Sequence, residues 1–113
     1  MSRQREVRLW VTQRATALVL AFCVLVHLLT IIYAVRGGLS AGEILSRTRG
    51  SVAWASFYVI FVVAVAVHGA IGLRTIVSEW VGLRGPVLEF AVSVVGVTLA
   101  MAGLRAVAAV FGA

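Results

Sequence analysis

The chain is a succession of long apolar runs broken by short polar stretches. Ala15 to Val35, Val52 to Leu73 and Val87 to Phe111 are uninterrupted or nearly so, Glu89 and Arg105 being the charges within them. At about 1.5 Å of rise per residue, each run is long enough as a helix to cross a hydrocarbon layer of roughly 30 Å. The pattern therefore predicts an all-α integral membrane protein with three transmembrane helices, over about 15–35, 52–73 and 87–111, in a single membrane domain, 1–113. The first run follows an arginine-rich start, as in a signal peptide, but its 21 residues exceed the roughly 7 to 15 of a signal core, so it is read as a retained span.

The polar breaks carry their own local signals. In the first connection, Ser40-Ala41-Gly42-Glu43 has the spacing at which a serine caps a helix start and a glutamate reaches back to it, which predicts a short interfacial helix over about 41–47. In the second, Gly85 breaks the chain and Pro86 suits the first turn of the helix that follows. Glu89 then falls in that first turn, where the helix dipole favours an anion.

Composition agrees with a membrane protein and narrows its function. Of 113 residues, 62% are hydrophobic and 12% charged, far from the balance of a soluble domain. The three runs use nearly the whole chain, leaving no room for a soluble catalytic domain and no expectation of self-contained enzyme activity. There is no cysteine cluster for iron–sulfur or zinc, no glycine-rich phosphate loop and no aspartate to complete a triad. The one cysteine, Cys23, lies inside the first run and suits apolar packing.

The net charge of +6 comes from ten arginines set against four glutamates. Because the arginines flank apolar runs, topology and lipid headgroups explain them, and nucleic acid is not an expected partner. Arg3, Arg5, Arg8, Arg14, Arg74 and Arg84 collect on one side of the membrane, and Arg36, Arg47, Arg49 and Arg105 on the other, which favours an inside amino terminus. Trp10, Trp54, Trp80, Tyr33 and Tyr58 lie at or near span ends, as in an aromatic belt. Trp10 and Trp80 also suit the wall of a pocket at the inner surface.

Ionisable groups inside a bilayer are costly and therefore mark candidate sites. The chain has two histidines, both within predicted spans. Measured from the inner ends, His68 sits about 7 to 8 Å deep and His27 about 18 Å deep. Two axial ligands of one haem iron must stand at nearly the same height, so within one subunit these histidines are not expected to share an iron. Each would need an opposing ligand from elsewhere. On its helix face His68 is accompanied by Phe57, Phe61, Ala64, Gly72 and Thr75. The small residues one turn to either side leave room for a flat macrocycle or, alternatively, for close helix packing. His27 follows Cys23 by one turn and shares a stripe with Thr16, Leu20, Ile31 and Ala34. For it a structural imidazole bonded to Thr30 or to a neighbouring helix weighs equally with a ligand. Just before the first span, Gln13, Arg14 and Thr16 would meet the inner interface, where a guanidinium and a hydroxyl can bind a quinone carbonyl or a haem propionate.

These residues together resemble a known family. His68, Gly72-Leu73-Arg74 and Glu79-Trp80 look like the second-span motif of the cytochrome b membrane anchor of succinate dehydrogenase and fumarate reductase. Gln13-Arg14-Ala15-Thr16 resembles that family's signature before its first span, and the resemblance covers most of the chain. It implies that the three helices form half of a haem-binding helical bundle, with His68 an axial ligand of haem b and Arg14 close to the haem propionates and the quinone. Thr16 stands for the motif serine; Gln13 replaces the usual histidine, Ala17 the glycine, and Trp10 a serine that often contacts quinone. His27 resembles the first-span histidine of two-haem anchors, which serves a haem at another depth, so one haem or two per assembly is implied. The expected partners are an iron–sulfur subunit, a flavoprotein subunit, a second anchor or second copy of this chain, and membrane lipid, in a bacterial-type inner membrane. Two alternatives stand beside this reading: a haem-free quinone-binding anchor, and a small proton or ion transporter built on His27, His68 and Arg105.

Overall fold

The computed structural model describes residues 2–112, whose regular structure is entirely helical. The elements are α1 (Arg3–Arg36), α2 (Ala41–Thr48), α3 (Val52–Ile76), which runs on into a π-helical turn (Val77–Val81), and α4 (Pro86–Gly112). Of these, α1, α3 with its π-turn, and α4 are long and apolar enough to cross a membrane. The end of the bundle at which the chain begins is called the near end below, the opposite one the far end.

The 34 residues of α1 make a rod of about 51 Å, longer than a hydrocarbon layer of roughly 30 Å. It begins twelve residues before the apolar run, capped by the Ser2 hydroxyl, which accepts the Arg5 amide at 3.2 Å. Helix formation there needs no hydrophobicity: Arg, Gln, Glu and Leu are all good helix formers. The α2 helix opens on Ser40, whose hydroxyl accepts the Glu43 amide at 3.2 Å. Pro86 is the first residue of α4, where its missing N–H costs nothing. The π-turn has no counterpart in the hydropathy pattern. It closes with the Gly82 amide donating to the Val77 carbonyl at 3.1 Å, and Gly82 ends it at φ +80, which a side chain would resist.

The α3 helix is the centre of the molecule, with α1 along one side and α4 along the other. Small side chains let α3 and α4 approach closely. A Cβ on Gly96 would stand 3.2 Å from Ala70 Cβ and 3.6 Å from the Ala66 carbonyl, and one on Gly103 would stand 2.5 Å from Val62 Cγ1. In hydrocarbon no water is released by helix contact, so dispersion between close backbones carries much of the association. The α1 helix turns a more polar stripe to α3: Gln13, Thr16, Leu20, Cys23, His27 and Thr30 recur at helical spacing and are the covered positions there, with Cys23 only 2% exposed.

Both ends are tied. At the near end Glu89 of α4 accepts Arg74 Nε of α3 at 2.8 Å and Arg5 Nη2 of α1 at 2.9 Å, while Arg74 Nη2 reaches Glu6 at 3.4 Å. One carboxylate thus joins all three long helices, and its place near the α4 N-terminus adds the dipole's attraction. At the far end the Thr48 hydroxyl donates to the Val110 carbonyl at 2.9 Å, and the Gly50 amide to the Phe111 carbonyl at 2.9 Å. These bonds satisfy carbonyls that the last turn of α4 leaves without intrahelical partners.

Little else is enclosed. Among the described residues only Cys23, Ala64, Ala66, Leu88, Val92 and Val107 are buried, while Leu18 and Phe90 remain 75% and 73% exposed. Apolar surface of this extent is covered by lipid or by further helices.

Two outcomes follow from this packing. Gly103→Leu should lower the unfolding midpoint of the detergent-solubilised protein, by about 1–3 kcal/mol of overpacking, and Val62→Ala in the same chain should restore part of it. Glu89→Gln should cost about 1–2 kcal/mol by removing the charge that Arg74 and Arg5 share and one of the carboxylate's two acceptor oxygens, with Arg5→Gln milder because Arg5 is more exposed, as thermal melts in detergent would show.

Candidate functional site

The structure gathers the polar residues of the spans at two levels. At the lower level His68 of α3 faces α1, with Nδ1 at 3.2 Å from Thr16 Oγ1. That hydroxyl also lies 2.8 Å from the Thr12 carbonyl and 3.1 Å from the Gln13 carbonyl, in the usual back-bond of a helical threonine. A hydroxyl has one hydrogen, and these carbonyls take it. With its hydrogen on either carbonyl, Thr16 presents a lone pair to the imidazole and His68 Nδ1–H donates. The imidazole held this way keeps its free lone pair on Nε2, the form in which histidine binds a metal.

Beside this pair lies Gln13, whose Oε1 is buried without a hydrogen-bond partner. A Cβ on Gly72 would stand 3.3 Å from Gln13 Nε2. The space over Gly72, expected from the sequence to admit either a macrocycle or a neighbouring helix, accommodates the Gln13 amide of α1. Gln13 therefore brings amide donors and an unfilled acceptor to the level of His68, and a buried acceptor of this kind calls for a donor. Arg14 and Trp10 lie on the exposed face of α1, with the guanidinium carbon 5.3 Å from the indole centroid, a cation–π contact. The structure thus brings Gln13 and Thr16 to His68 and leaves Arg14 and Trp10 together on the outward face.

The upper level is built on His27. Its Nδ1 lies 3.3 Å from the Tyr58 hydroxyl, and its ring meets Tyr58 and Phe61 edge-on at 5.7 and 5.6 Å. Thr30, which the sequence offers as a partner for the ring, instead donates to the His27 carbonyl at 2.7 Å. No carbonyl holds the Tyr58 hydrogen among the described bonds, so this pair does not fix its tautomer as Thr16 fixes that of His68. A cavity of about 570 Å³ opens on one side of the pair, lined by Thr30, Tyr33, Arg47 and Trp54 among others. A second, of about 450 Å³, opens on the other side toward Phe61, Val65, Leu99 and Gly103. Trp54, Phe57, Tyr58 and Phe61 recur at helical spacing on α3 and form one aromatic cluster; the sequence places Trp54 and Tyr58 in the belt and Phe57 and Phe61 on the His68 face, whereas the structure sets Tyr58 and Phe61 against His27.

The two levels are well separated. Thr16 and His27 are eleven residues apart on α1, and Tyr58 and His68 ten apart on α3, about 15 Å in each case. Among the described residues no three of His, Cys, Asp or Glu come together. Arg105 is exposed on the side of α4 turned away from Gly103 and Val107, and it extends neither level into a continuous polar path.

Neither a curated protein nor a solved structure matches the chain. A family model does, over residues 1–109, and with its three apolar helices the chain belongs to the succinate dehydrogenase/fumarate reductase transmembrane subunit family.

Proposed function

We propose that the chain is the cytochrome b anchor of a succinate:quinone oxidoreductase or fumarate reductase, binding haem b through His68, contributing to the quinone site and docking the iron–sulfur and flavoprotein subunits. The observation that carries it is the Thr16–His68 hydrogen bond, which leaves Nε2 as the metal-binding nitrogen. Metal-ligating histidines characteristically donate their other ring nitrogen in this way. His68 would hold the iron from one side, and the opposing ligand would come from a second anchor or a second copy of this chain. When bound, haem supplies a one-electron redox centre beside the quinone. His27, about 15 Å away along the helices, would serve a second haem.

Quinone is the substrate of this anchor, reached by electrons from succinate through the iron–sulfur subunit. At the lower level Gln13 can donate from Nε2 to a quinone carbonyl and accept a quinol hydroxyl at Oε1, the buried oxygen without a partner. Arg14, held over Trp10, supplies positive charge at the membrane surface for a propionate or a quinone oxygen. Positive charge near the quinone also favours the anion that electron arrival creates. With the arginine-rich near end inside, the anchor sits in a bacterial-type inner membrane with its amino terminus on the side of the soluble subunits.

The deciding measurement is a reduced-minus-oxidised spectrum of the purified assembly with haem quantified per chain. A b-type α-band should be present, His68→Ala should remove the inner haem, and His27→Ala should leave it. Haem content undiminished in His68→Ala would sink the assignment, and a preparation without any α-band would leave a haem-free anchor. Gln13→Ala should raise the KM for quinone roughly 3- to 10-fold, the worth of one hydrogen bond, with haem content unchanged. Flavoprotein and iron–sulfur subunits should co-purify with the chain.

A further inference from the structure

We infer that Thr16 is a positioning residue for His68: by accepting the Nδ1 proton it strengthens the imidazole as an iron ligand and lowers the potential of the haem. This rests on the haem assignment above and gives the motif hydroxyl a different task from quinone binding. Hydrogen counting decides between the two. A quinone carbonyl is an acceptor and needs a donor, but the single Thr16 hydrogen is already engaged by the Thr12 and Gln13 carbonyls at 2.8 and 3.1 Å. What the hydroxyl has left is a lone pair, and the structure aims it at His68 Nδ1, 3.2 Å away. Gln13, one turn earlier, has both amide donors and a buried acceptor without a partner, so the quinone's needs fall to it and not to Thr16.

The effect on the haem follows from charge. An acceptor on Nδ1–H draws the proton away from the ring and raises electron density at Nε2, which favours ferric over ferrous iron. The bond also fixes the imidazole's tautomer and orientation. Thr16 itself is held by its own helix through the back-bond to Thr12, and α1 is held to α3 at the near end by the Glu6–Arg74 contact at 3.4 Å. The acceptor is thus preorganised before haem enters. Nothing comparable fixes the tautomer at the upper level, where the Tyr58 hydroxyl can donate to His27 or accept from it.

The test is a redox titration of the b-type absorbance in the purified, complete assembly, comparing wild type with Thr16→Val and Thr16→Ser. Valine keeps the shape of threonine and removes the oxygen; serine keeps the oxygen. In Thr16→Val the midpoint should rise, with a roughly tenfold change in the ferrous-to-ferric ratio at fixed potential, ~59 mV for one electron. Thr16→Ser should titrate as wild type. Loss of haem from Thr16→Val with full haem in Thr16→Ser also supports the role. An unshifted midpoint in haem-loaded Thr16→Val overturns it, as does a raised quinone KM without a shift, or an equal change or loss of haem in both variants, which would assign the effect to packing. Absence of a b-type α-band from the wild-type assembly overturns the haem assignment itself, a result distinguishable from all of these.

Discussion

An imidazole inside a hydrocarbon layer has no water to satisfy it and must find its partner on a neighbouring helix. In this protein that requirement couples α1 to α3 twice, through Thr16 with His68 and through His27 with Tyr58. Each bond links residues distant in sequence, so together they set the register and rotation of α1 on α3. The chemistry of the lower pair depends in turn on a local habit of threonine in helices, the back-bond to the preceding turn. With the hydroxyl hydrogen held in that bond, a side chain that looks like a donor becomes an acceptor for the imidazole it faces.

The rest of the molecule keeps those pairs in place. On its other side α3 meets α4 through glycine and alanine, where backbone proximity replaces side-chain interdigitation. At the near end one carboxylate, Glu89, draws Arg74 and Arg5 together, and at the far end Thr48 and Gly50 tie the α2–α3 junction to the last turn of α4. The polar contacts lie where polar residues are affordable, at the two ends. Between them the α3–α4 contact is apolar and the α1–α3 contact holds the histidine hydrogen bonds. Most of the outward surface remains apolar, which suits a subunit covered by lipid or by further helices.

Several features were legible from residues alone because they depend on local properties. Run length and hydropathy specify helices that cross a membrane; Ser40 and Pro86 specify where two helices begin. The depth difference between His27 and His68 also needs only a rise per residue and a span boundary. Other features were not legible. The apolar run of α1 conceals twelve helical residues before it, since polar helix formers extend a helix without any hydrophobic signal. The π-turn after Ile76 has no hydropathy signature at all. Thr30 looked like a partner for His27 on spacing, yet its hydroxyl bonds to the backbone, as threonine in a helix often does.

By itself the sequence determined the solvent of each segment, the helical form of the chain, and which residues could carry chemistry, because these follow from hydrophobicity, local capping and side-chain identity. Only the tertiary structure decided which of those residues meet. It placed Gln13 over Gly72, turned Thr16 toward His68, left Arg14 on Trp10 at the outward face, and gave Glu89 two arginine partners instead of a helix dipole alone. The physical reason is that an apolar helix has no strong preference for its own rotation in lipid. That rotation is settled by close contacts and hydrogen bonds with other helices, and these are properties of the folded whole.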